Sequence, residues 1–227
     1  MRMVGDPTTC TRVFNERNAD ELIFLDIVAS RENTSPNFGV IEDIAHECLM
    51  PLNIGGGIRT IEDADRLFEI GADKITINTS AVKCPELIVS ISDKYGAQSL
   101  SVSIDAMRVD NRYKAFICSG KEETEYSPSE LAMKAEALGA GEILLNSIDE
   151  DGRMNGFDLN LIKEVTDAIN IPLVAAGGCG KLQDFVEAVT IGGANSVSAA
   201  SIFFFAGESI ITIKNFLNEQ GIPVRLK

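Results

Sequence analysis

The sequence predicts an α/β fold of parallel strands, and two observations support this prediction. Short apolar runs recur along the 227 residues, and each is followed by a stretch with helical spacing, which is the pattern of successive βα units. The second half of the chain also repeats the first. Because no linker or low-complexity segment divides the chain, we expect one domain over residues 1–227.

Seven apolar runs are predicted to form the strands. In chain order they are residues 21–27, 49–56, 74–79, 99–106, 142–148, 171–178 and 195–201. The mixed-charge segment before the first run reads as a surface helix. After the second run, Thr60 leads into an acidic first turn and Gly71 ends the helical pattern, which indicates an N-cap and a C-cap. Residues 112–127 read as a two-stranded insertion.

An internal repeat indicates the architecture. Residues 19–27 (ADELIFLDI) match residues 140–148 (AGEILLNSI) at an offset of 121. The glycine-rich turns and helices at 56–71 and 177–192 match at the same offset, and the strands that follow match at an offset of 122. Two halves of four βα units predict an eight-stranded (β/α)8 TIM barrel with a half-barrel internal repeat.

The repeat also predicts a strand that this sequence does not contain. The second half opens with the strand at 99–106, so the first half should open with a matching strand before residue 21. Counting back by the repeat offset puts it about 22 residues before Met1. We therefore expect an N-terminally incomplete barrel whose first strand is missing, with open strand edges that invite aggregation or association. The alternatives are an unstable chain, a partner chain that fills the gap, or a sequence truncated at its start.

Composition excludes several classes of function. A formal charge of −14 argues against nucleic acid and anionic membranes as partners. No apolar run is long enough for a signal peptide or a membrane span, so we expect a soluble, cytoplasmic protein. The single histidine, His46, is expected to be a partly exposed helix residue, and we expect neither a metal nor a cofactor. Five widely spaced cysteines predict reduced, mostly buried thiols.

Two glycine-rich segments predict a ligand with a phosphate at each end. Residues 55–60 (GGGIRT) end one strand and begin a helix, and residues 77–80 (INTS) end the next strand. Residues 177–181 (GGCGK) and 199–201 (AAS) occupy the matching positions in the second half. Glycine lets backbone N–H groups approach an anion at a helix N-terminus. A tight turn without a ligand is the alternative interpretation of each segment.

Carboxylates at the strand ends are candidate acids and bases. Asp105 ends the run at 99–104, and Asp26 and Asp149 end or follow two other runs. Among apolar neighbours such a carboxylate can have a raised pKa and act in general acid or base catalysis, although capping a loop is an equal alternative. Ser147 and Asp151 are also expected to point to the mouth of the barrel, which is the end where the carboxyl ends of the strands meet. There Asp151 could bind a ligand hydroxyl or cap a turn.

Three charged residues mark the opposite end of the predicted barrel. Glu21, Lys74 and Glu142 each stand at the first residue of a strand. They could be solvated side chains on the bottom of the barrel. Because their charges are of mixed sign and their positions are equivalent, they could instead form a ring around the barrel axis.

Taken together, these motifs resemble the cyclase subunit of imidazole glycerol phosphate synthase, of histidine biosynthesis. The resemblance covers nearly the whole chain, through DELIFLDI-x-AS, GGGIRT, ADKITINTSAV, SIDAMRVD, SGK, GAGEILLNSIDEDG, GGCGK, SAASIF and the closing IPVRL. A related isomerase on the same half-barrel repeat fits less well, because GAGEILLNSID and the three charges at the strand starts resemble the cyclase.

The resemblance implies a lyase that uses ammonia from a glutaminase subunit, in a heterodimer. Ammonia would convert a formimino carboxamide ribonucleotide bisphosphate to imidazole glycerol phosphate and aminoimidazole carboxamide ribotide. Asp105 matches one of the family's two catalytic aspartates, and Asp73 lies on the implied docking face. The first implied phosphate cluster is Gly57, Asn78 and Thr79, and the second is Asp151, Gly152, Gly178, Ala200 and Ser201. Ser147 is a further implied substrate contact, and the implied ammonia gate is Glu21, Lys74 and Glu142.

The family's other catalytic aspartate, a gate arginine and a loop lysine belong to the first strand and its loop, which this sequence lacks. Residues 4–27 and 44–52 also resemble a paralogous branch, linked to amidino decoration of surface sugars, that would deliver ammonia to a different acceptor. A third hypothesis is a binding subunit without catalysis, which keeps the phosphate and glutaminase contacts.

Overall fold

The computed structural model describes residues 5–32 and 34–226, and its centre is a curled sheet of parallel strands. In these residues seven parallel strands follow one another in chain order, which confirms all seven predicted strands and the α/β class, an architecture consistent with a TIM barrel. The strands of the sheet, with the insertion included, are β1 (Leu22–Leu25), β2 (Leu52–Gly55), β3 (Lys74–Ile77), β4 (Leu100–Val109), β5 (Arg112–Ile117), β6 (Glu122–Glu123), β7 (Glu142–Ser147), β8 (Leu173–Ala176) and β9 (Ser196–Val197).

The predicted insertion is present as an antiparallel extension of the sheet. β5 pairs with β4, and β6 pairs with β5, while β4 also keeps its parallel neighbours β3 and β7. β4 runs to Val109, beyond the predicted end at residue 106, because its last residues pair with β5. The insertion therefore rises from the carboxyl end of a central strand.

Helices follow the strands and cover the outer face of the sheet. They are α1 (Pro7–Glu16), α2 (Ile27–Glu32), α3 (Phe38–Glu47), α4 (Ile61–Ile70), α5 (Thr79–Lys83), α6 (Glu86–Tyr95), α7 (Pro128–Ala137), α8 (Leu159–Thr166), α9 (Leu182–Thr190) and α10 (Ile210–Glu219). The predicted caps of α4 are confirmed: Thr60 accepts the Asp63 N–H, and Gly71 has a φ of 118°. Alternate residues of β4, such as Val102 and Ile104, are fully buried in the apolar core.

The sequence repeat recurs as a repeat of hydrogen bonds. The Leu52 N–H donates to the Asp73 carboxylate over 2.9 Å, and the Leu173 N–H donates to the Asn195 side-chain oxygen over 3.0 Å. The offset is 121 for the two leucines and 122 for their two partners. The residue inserted in the second half therefore lies between β8 and β9, and the two halves fold alike on either side of it.

β1 and β9 are the outer members of the parallel sheet, and within the described residues each pairs on one side only. Outside these edges the two ends of the chain meet. The Phe14 ring of α1 packs edge-on against Phe203, with ring centroids 5.8 Å apart. The Lys214 ammonium of α10 donates to the Asn18 carbonyl and to the Asp20 carboxylate, each over 2.8 Å. These contacts join α10 to the segment that enters β1.

Two predictions about side chains have opposite outcomes. His46 lies exposed on α3, as expected. All five cysteines are free, but the expectation of mostly buried thiols is wrong, because only Cys179 is buried and the other four are partly exposed. Across residues 5–32 and 34–226, no helix is long and apolar enough to cross a membrane.

Candidate functional site

A large cavity of about 1760 Å³ lies along the inner face of the sheet and extends past α1 and α10 beside the outer strands. It reaches from Glu21 and Glu142 at one end to the loops after the strands at the other. Six residues of the predicted catalytic and phosphate sites line it: Gly57, Asn78, Thr79, Asp105, Asp151 and Ala200. Residues far apart in sequence therefore share one cavity, at the face where barrel enzymes carry their active sites.

Asp105 faces this cavity from β4. It lies beside Asn146 of β7, whose side-chain amide donates to the Asp105 carboxylate over 3.3 Å. Burial raises the pKa of Asp105 from its ordinary value to about 6; the Asn146 hydrogen bond lowers it, and the negative charge of Asp151 raises it. The raised pKa expected of a carboxylate at the mouth is thus confirmed for Asp105, which can exchange a proton near neutral pH.

The other two strand-end aspartates hold loops. The Asp26 carboxylate accepts the backbone N–H groups of Val28 and Ala29, over 3.1 and 3.0 Å, and stabilises the start of α2. The Asp149 carboxylate accepts the Arg108 N–H over 2.8 Å. For these two residues the structure favours the capping interpretation over the catalytic one.

The two glycine-rich turns have the same construction. Gly56 and Gly177, which follow β2 and β8, have φ of 98° and 85°. Asp63 accepts the N–H groups of the two residues before α4, and Asp184 accepts those of the two residues before α9. Each carboxylate binds the turn to the first turn of its own helix, which holds both helix N-termini toward the mouth. Such termini favour an anion.

The first predicted phosphate cluster lies together. Gly57, Asn78 and Thr79 all line the cavity. The Asn78 amide donates to the Ser103 carbonyl over 3.0 Å, and the Thr79 hydroxyl accepts the Cys118 N–H over 3.0 Å. The first bond joins the end of β3 to β4, and the second fastens the turn after β5 to the start of α5. The Gly57 N–H donates to the Ser30 hydroxyl over 3.3 Å, so an anion bound there would share this donor.

The second predicted cluster is brought together only in part. Of its members, Asp151 and Ala200 line the cavity. Gly178 is buried and its carbonyl accepts the Gly156 N–H over 2.9 Å, so its backbone packs into a neighbouring loop. Gly152 lies in an exposed turn and Ser201 precedes a π-helical turn, and neither lines the cavity.

Ser147 does not present its side chain to the cavity. Strand residues alternate between two faces, and the register pairs Asp105 with Asn146 and Ala106 with Ser147. Asn146 therefore shares the cavity face with Asp105, while Ser147 is buried on the face that Ala106 occupies. The expectation that Ser147 points to the mouth is corrected to Asn146, the next residue back along β7.

Glu21, Lys74 and Glu142 form one ion-paired cluster, named here the charged ring. The Lys74 ammonium lies 3.1 Å from the Glu21 carboxylate and 2.9 Å from the Glu142 carboxylate. Burial lowers the pKa of Lys74, but the two carboxylates outweigh burial and hold the pKa above its ordinary value. Of the two interpretations of these charges, the structure favours the ring over separate solvated side chains.

Small polar residues lie between the charged ring and Asp105. The fully buried Asn53 accepts the Thr76 hydroxyl over 2.7 Å, and its own amide donates to Glu21 over 3.2 Å. Ser101 and Ser103 follow on the same face of β4, and the buried Ser101 hydroxyl has no hydrogen-bond partner within the described structure. Barrel interiors are commonly filled by branched apolar side chains. A polar line along the axis is therefore a departure that favours small polar molecules.

Sequence reasoning missed this polar line and Asn146. The available signal was the alternation in residues 99–105 (SLSVSID), where each second residue is Ser or Asp. Period-two alternation on a buried parallel strand predicts one polar face.

As for metals, the part of the chain that the structure describes holds no group of three or more His, Cys, Asp or Glu residues arranged to bind an ion.

The fold and the cavity define an α/β protein of the barrel class, made of two similar halves with its candidate site at the carboxyl ends of the strands. A comparison with protein families identifies it further. The family model described as histidine biosynthesis protein matches residues 1–208. The chain belongs to this family, whose members are enzymes of histidine biosynthesis of the isomerase and cyclase type.

Proposed function

We propose that the chain is a cyclase of the imidazole glycerol phosphate synthase type. It uses ammonia from a glutaminase subunit to convert the formimino carboxamide ribonucleotide bisphosphate to imidazole glycerol phosphate and aminoimidazole carboxamide ribotide. The observation that carries the proposal is the polar line from the charged ring to Asp105. An isomerase needs only the mouth, because its single substrate enters there, whereas a cyclase needs a second route for ammonia.

In this proposal Asp105 is the acid and base at the mouth. A nitrogen that attacks a substrate carbon must lose a proton, and a carboxylate with a pKa of about 6 can accept one at neutral pH and return it in the ring-closing steps. The first phosphate cluster would hold one end of the substrate, through the helix N-terminus and Thr79. The second phosphate would lie near Ala200 and Asp151.

The glutaminase would dock on the face of the barrel that carries the charged ring. Asp73 would be part of this docking face. Ammonia is neutral and small, so the Lys74 ion pairs need to separate only slightly to let it pass toward Asn53 and Thr76. The heterodimer is the form in which we expect glutamine to support the reaction. As an enzyme of small-molecule biosynthesis, it would work in the cytoplasm as one barrel domain.

The decisive experiment is cyclase turnover with ammonium as the nitrogen source. The purified chain is supplied with the bisphosphate substrate, and imidazole glycerol phosphate is measured by chromatography. We expect Asp105→Asn to lower turnover by about 100-fold or more, because general acid–base catalysis contributes about that factor. Asp149→Asn is the matched control, since it removes a mouth carboxylate but keeps an acceptor for the Arg108 N–H. Equal turnover by Asp105→Asn and the parent chain would refute the proposal.

One observation favours a second candidate, a paralogue that passes ammonia to a sugar intermediate. The second phosphate cluster is incomplete, because Gly178 and Ser201 do not line the cavity. An acceptor anchored by one phosphate would need only the first cluster. Complementation of a histidine auxotroph separates the candidates: growth supports the cyclase, and failure to grow with a well-folded chain supports the paralogue.

A further inference from the structure

Asn146 lies between the candidate catalytic carboxylate and the second glycine turn. Its register partner on β4 is Asp105, and the amide nitrogen lies 3.3 Å from the Asp105 carboxylate. The nitrogen end must face Asp105, because an ionised carboxylate can only accept hydrogen bonds. Among the described side chains, Asn146 is the only one that hydrogen-bonds Asp105. The orientation of this carboxylate therefore depends on one amide.

The amide itself is confined on its other side. Gly177 packs so closely that a Cβ added there would come within 2.8 Å of the Asn146 side-chain oxygen and 2.7 Å of the Ser147 carbonyl. Gly177 also has a φ of 85°, a conformation that favours glycine. The turn after β8 thus packs directly against the Asn146 side chain and leaves no room for another side chain there. A side-chain amide that is packed against a turn holds a neighbouring carboxylate in one orientation more tightly than a mobile side chain would.

We propose that Asn146 is a positioning residue, which holds the Asp105 carboxylate in a single orientation and favours its ionised form. This inference rests on the proposed function in one respect, since it gives Asp105 its use as the acid and base. The physical role is independent of the substrate. A hydrogen bond donated to an ionised carboxylate stabilises that form, and its loss makes the carboxylate harder to ionise.

The first test is a titration that needs no substrate. The pKa of Asp105 is read from carboxyl carbon chemical shifts, with Asp105→Asn used to assign the signal. We expect a value near 6 in the parent chain. In Asn146→Ala it should rise by roughly half a unit to one unit, and in the isosteric Asn146→Asp by more, because a second carboxylate adds like-charge repulsion. Ser103→Ala, which changes the same cavity wall one step below, should leave the value within about 0.2 units.

An unchanged Asp105 pKa in both Asn146 variants would overturn the inference. Asn146→Asp keeps the volume of the side chain, so it serves if Asn146→Ala unfolds, and circular dichroism before each titration shows which variants are folded. The titration does not depend on the proposed function. If the pKa shifts but the chain shows no cyclase turnover, the positioning role of Asn146 is supported and the cyclase proposal is refuted.

The second test is the pH profile of turnover. In Asn146→Ala the acid limb of kcat should move to higher pH by the same amount as the titrated pKa, which by itself lowers kcat at pH 7 by less than about twofold. The loss of a fixed carboxylate orientation should bring the total fall in kcat to about tenfold or more, with KM within about twofold. A merely structural residue would lower kcat without moving the acid limb. If Asp105→Asn abolishes turnover while Asn146→Ala leaves the limb in place, the cyclase stands and the positioning role fails.

Discussion

Burial of the Asp105 carboxylate lowers the stability of the folded chain and gives this residue a pKa suited to proton transfer. Its carboxylate is held on a buried strand face, where the charged form is disfavoured, and its pKa rises to about 6. In the unfolded chain the ordinary value is 3.8. Between about pH 4 and pH 6 the folded chain keeps a proton that the unfolded chain has lost, so stability falls as pH rises through this window.

We therefore predict that Asp105→Asn is more stable than the parent chain above pH 6, by on the order of 3 kcal/mol, since each pKa unit corresponds to about 1.4 kcal/mol. The amide has nearly the same shape and no charge to bury. Chemical denaturation of both chains from pH 4 to pH 8 measures the difference. It should be small near pH 4 and reach a plateau above pH 6, and a difference that is constant over this range would contradict the pKa.

At the level of the elements, the same aspartate device begins α4 and α9, but in different surroundings. Asp184 is 3% exposed and accepts two backbone N–H groups, over 2.9 and 3.0 Å. Asp63, at the same place in the first half, is partly exposed and accepts its two donors over 3.0 and 3.3 Å. Water can replace Asp63 more readily than Asp184.

The repeat thus provides its own control. We predict that Asp184→Ala lowers the free energy of unfolding by roughly 2 kcal/mol or more, because it removes a buried carboxylate and leaves its two partly buried N–H donors unpaired. Asp63→Ala should cost about 1 kcal/mol or less, which is typical of losing a cap. Thermal or urea denaturation of the two variants compares them directly. Equal losses in the two variants would show that burial of the carboxylate does not determine how much it contributes to the free energy of unfolding.

At the scale of the whole molecule, the ends of the chain hold each other across the open side of the sheet. Lys214 of α10 is 5% exposed, and its ammonium bonds the Asn18 carbonyl and the Asp20 carboxylate just before β1. Asp20 also accepts from Arg225 over 2.9 Å. These contacts link residues nearly 200 positions apart, so they stabilise the closure of the chain and not any single element.

We predict that Lys214→Met lowers the free energy of unfolding by roughly 2 kcal/mol, since it removes two partly buried charge-assisted hydrogen bonds of a buried ammonium. Hydrogen exchange should also become faster in β1 and α10 together, because the bond joins them. The control is Lys163→Met, which removes an exposed pair with Asp167 and should cost less than about 0.5 kcal/mol. Equal effects of the two variants would rule out the closing role of Lys214.

The extent to which the site could be predicted differs between its parts. Gly57, Asn78, Thr79 and Asp105 follow directly from strand ends, and all four line the cavity. Ser147 was misplaced by one residue, since only the register with β4 shows which face of β7 looks inward. Gly178 is implied by the family resemblance, but its carbonyl accepts the Gly156 N–H and its backbone packs into that loop, as Gly57 packs against the Thr34 carbonyl in the first half. The local sequence pattern determines whether a segment forms a strand or a helix. The elements packed beside that segment determine which of its faces lines the cavity.

The order of strands and helices, the half-barrel repeat and the family all follow from the chain of residues, because periodicity and repeated motifs are local properties of the sequence. Three features depended on the tertiary structure: the ion pairs of Lys74 with Glu21 and Glu142, the raised pKa of Asp105, and the amide of Asn146 beside it. Each arises between residues that lie tens of positions apart. Distance and burial are set only when the strands pair, so the chemistry of the site is decided by the fold.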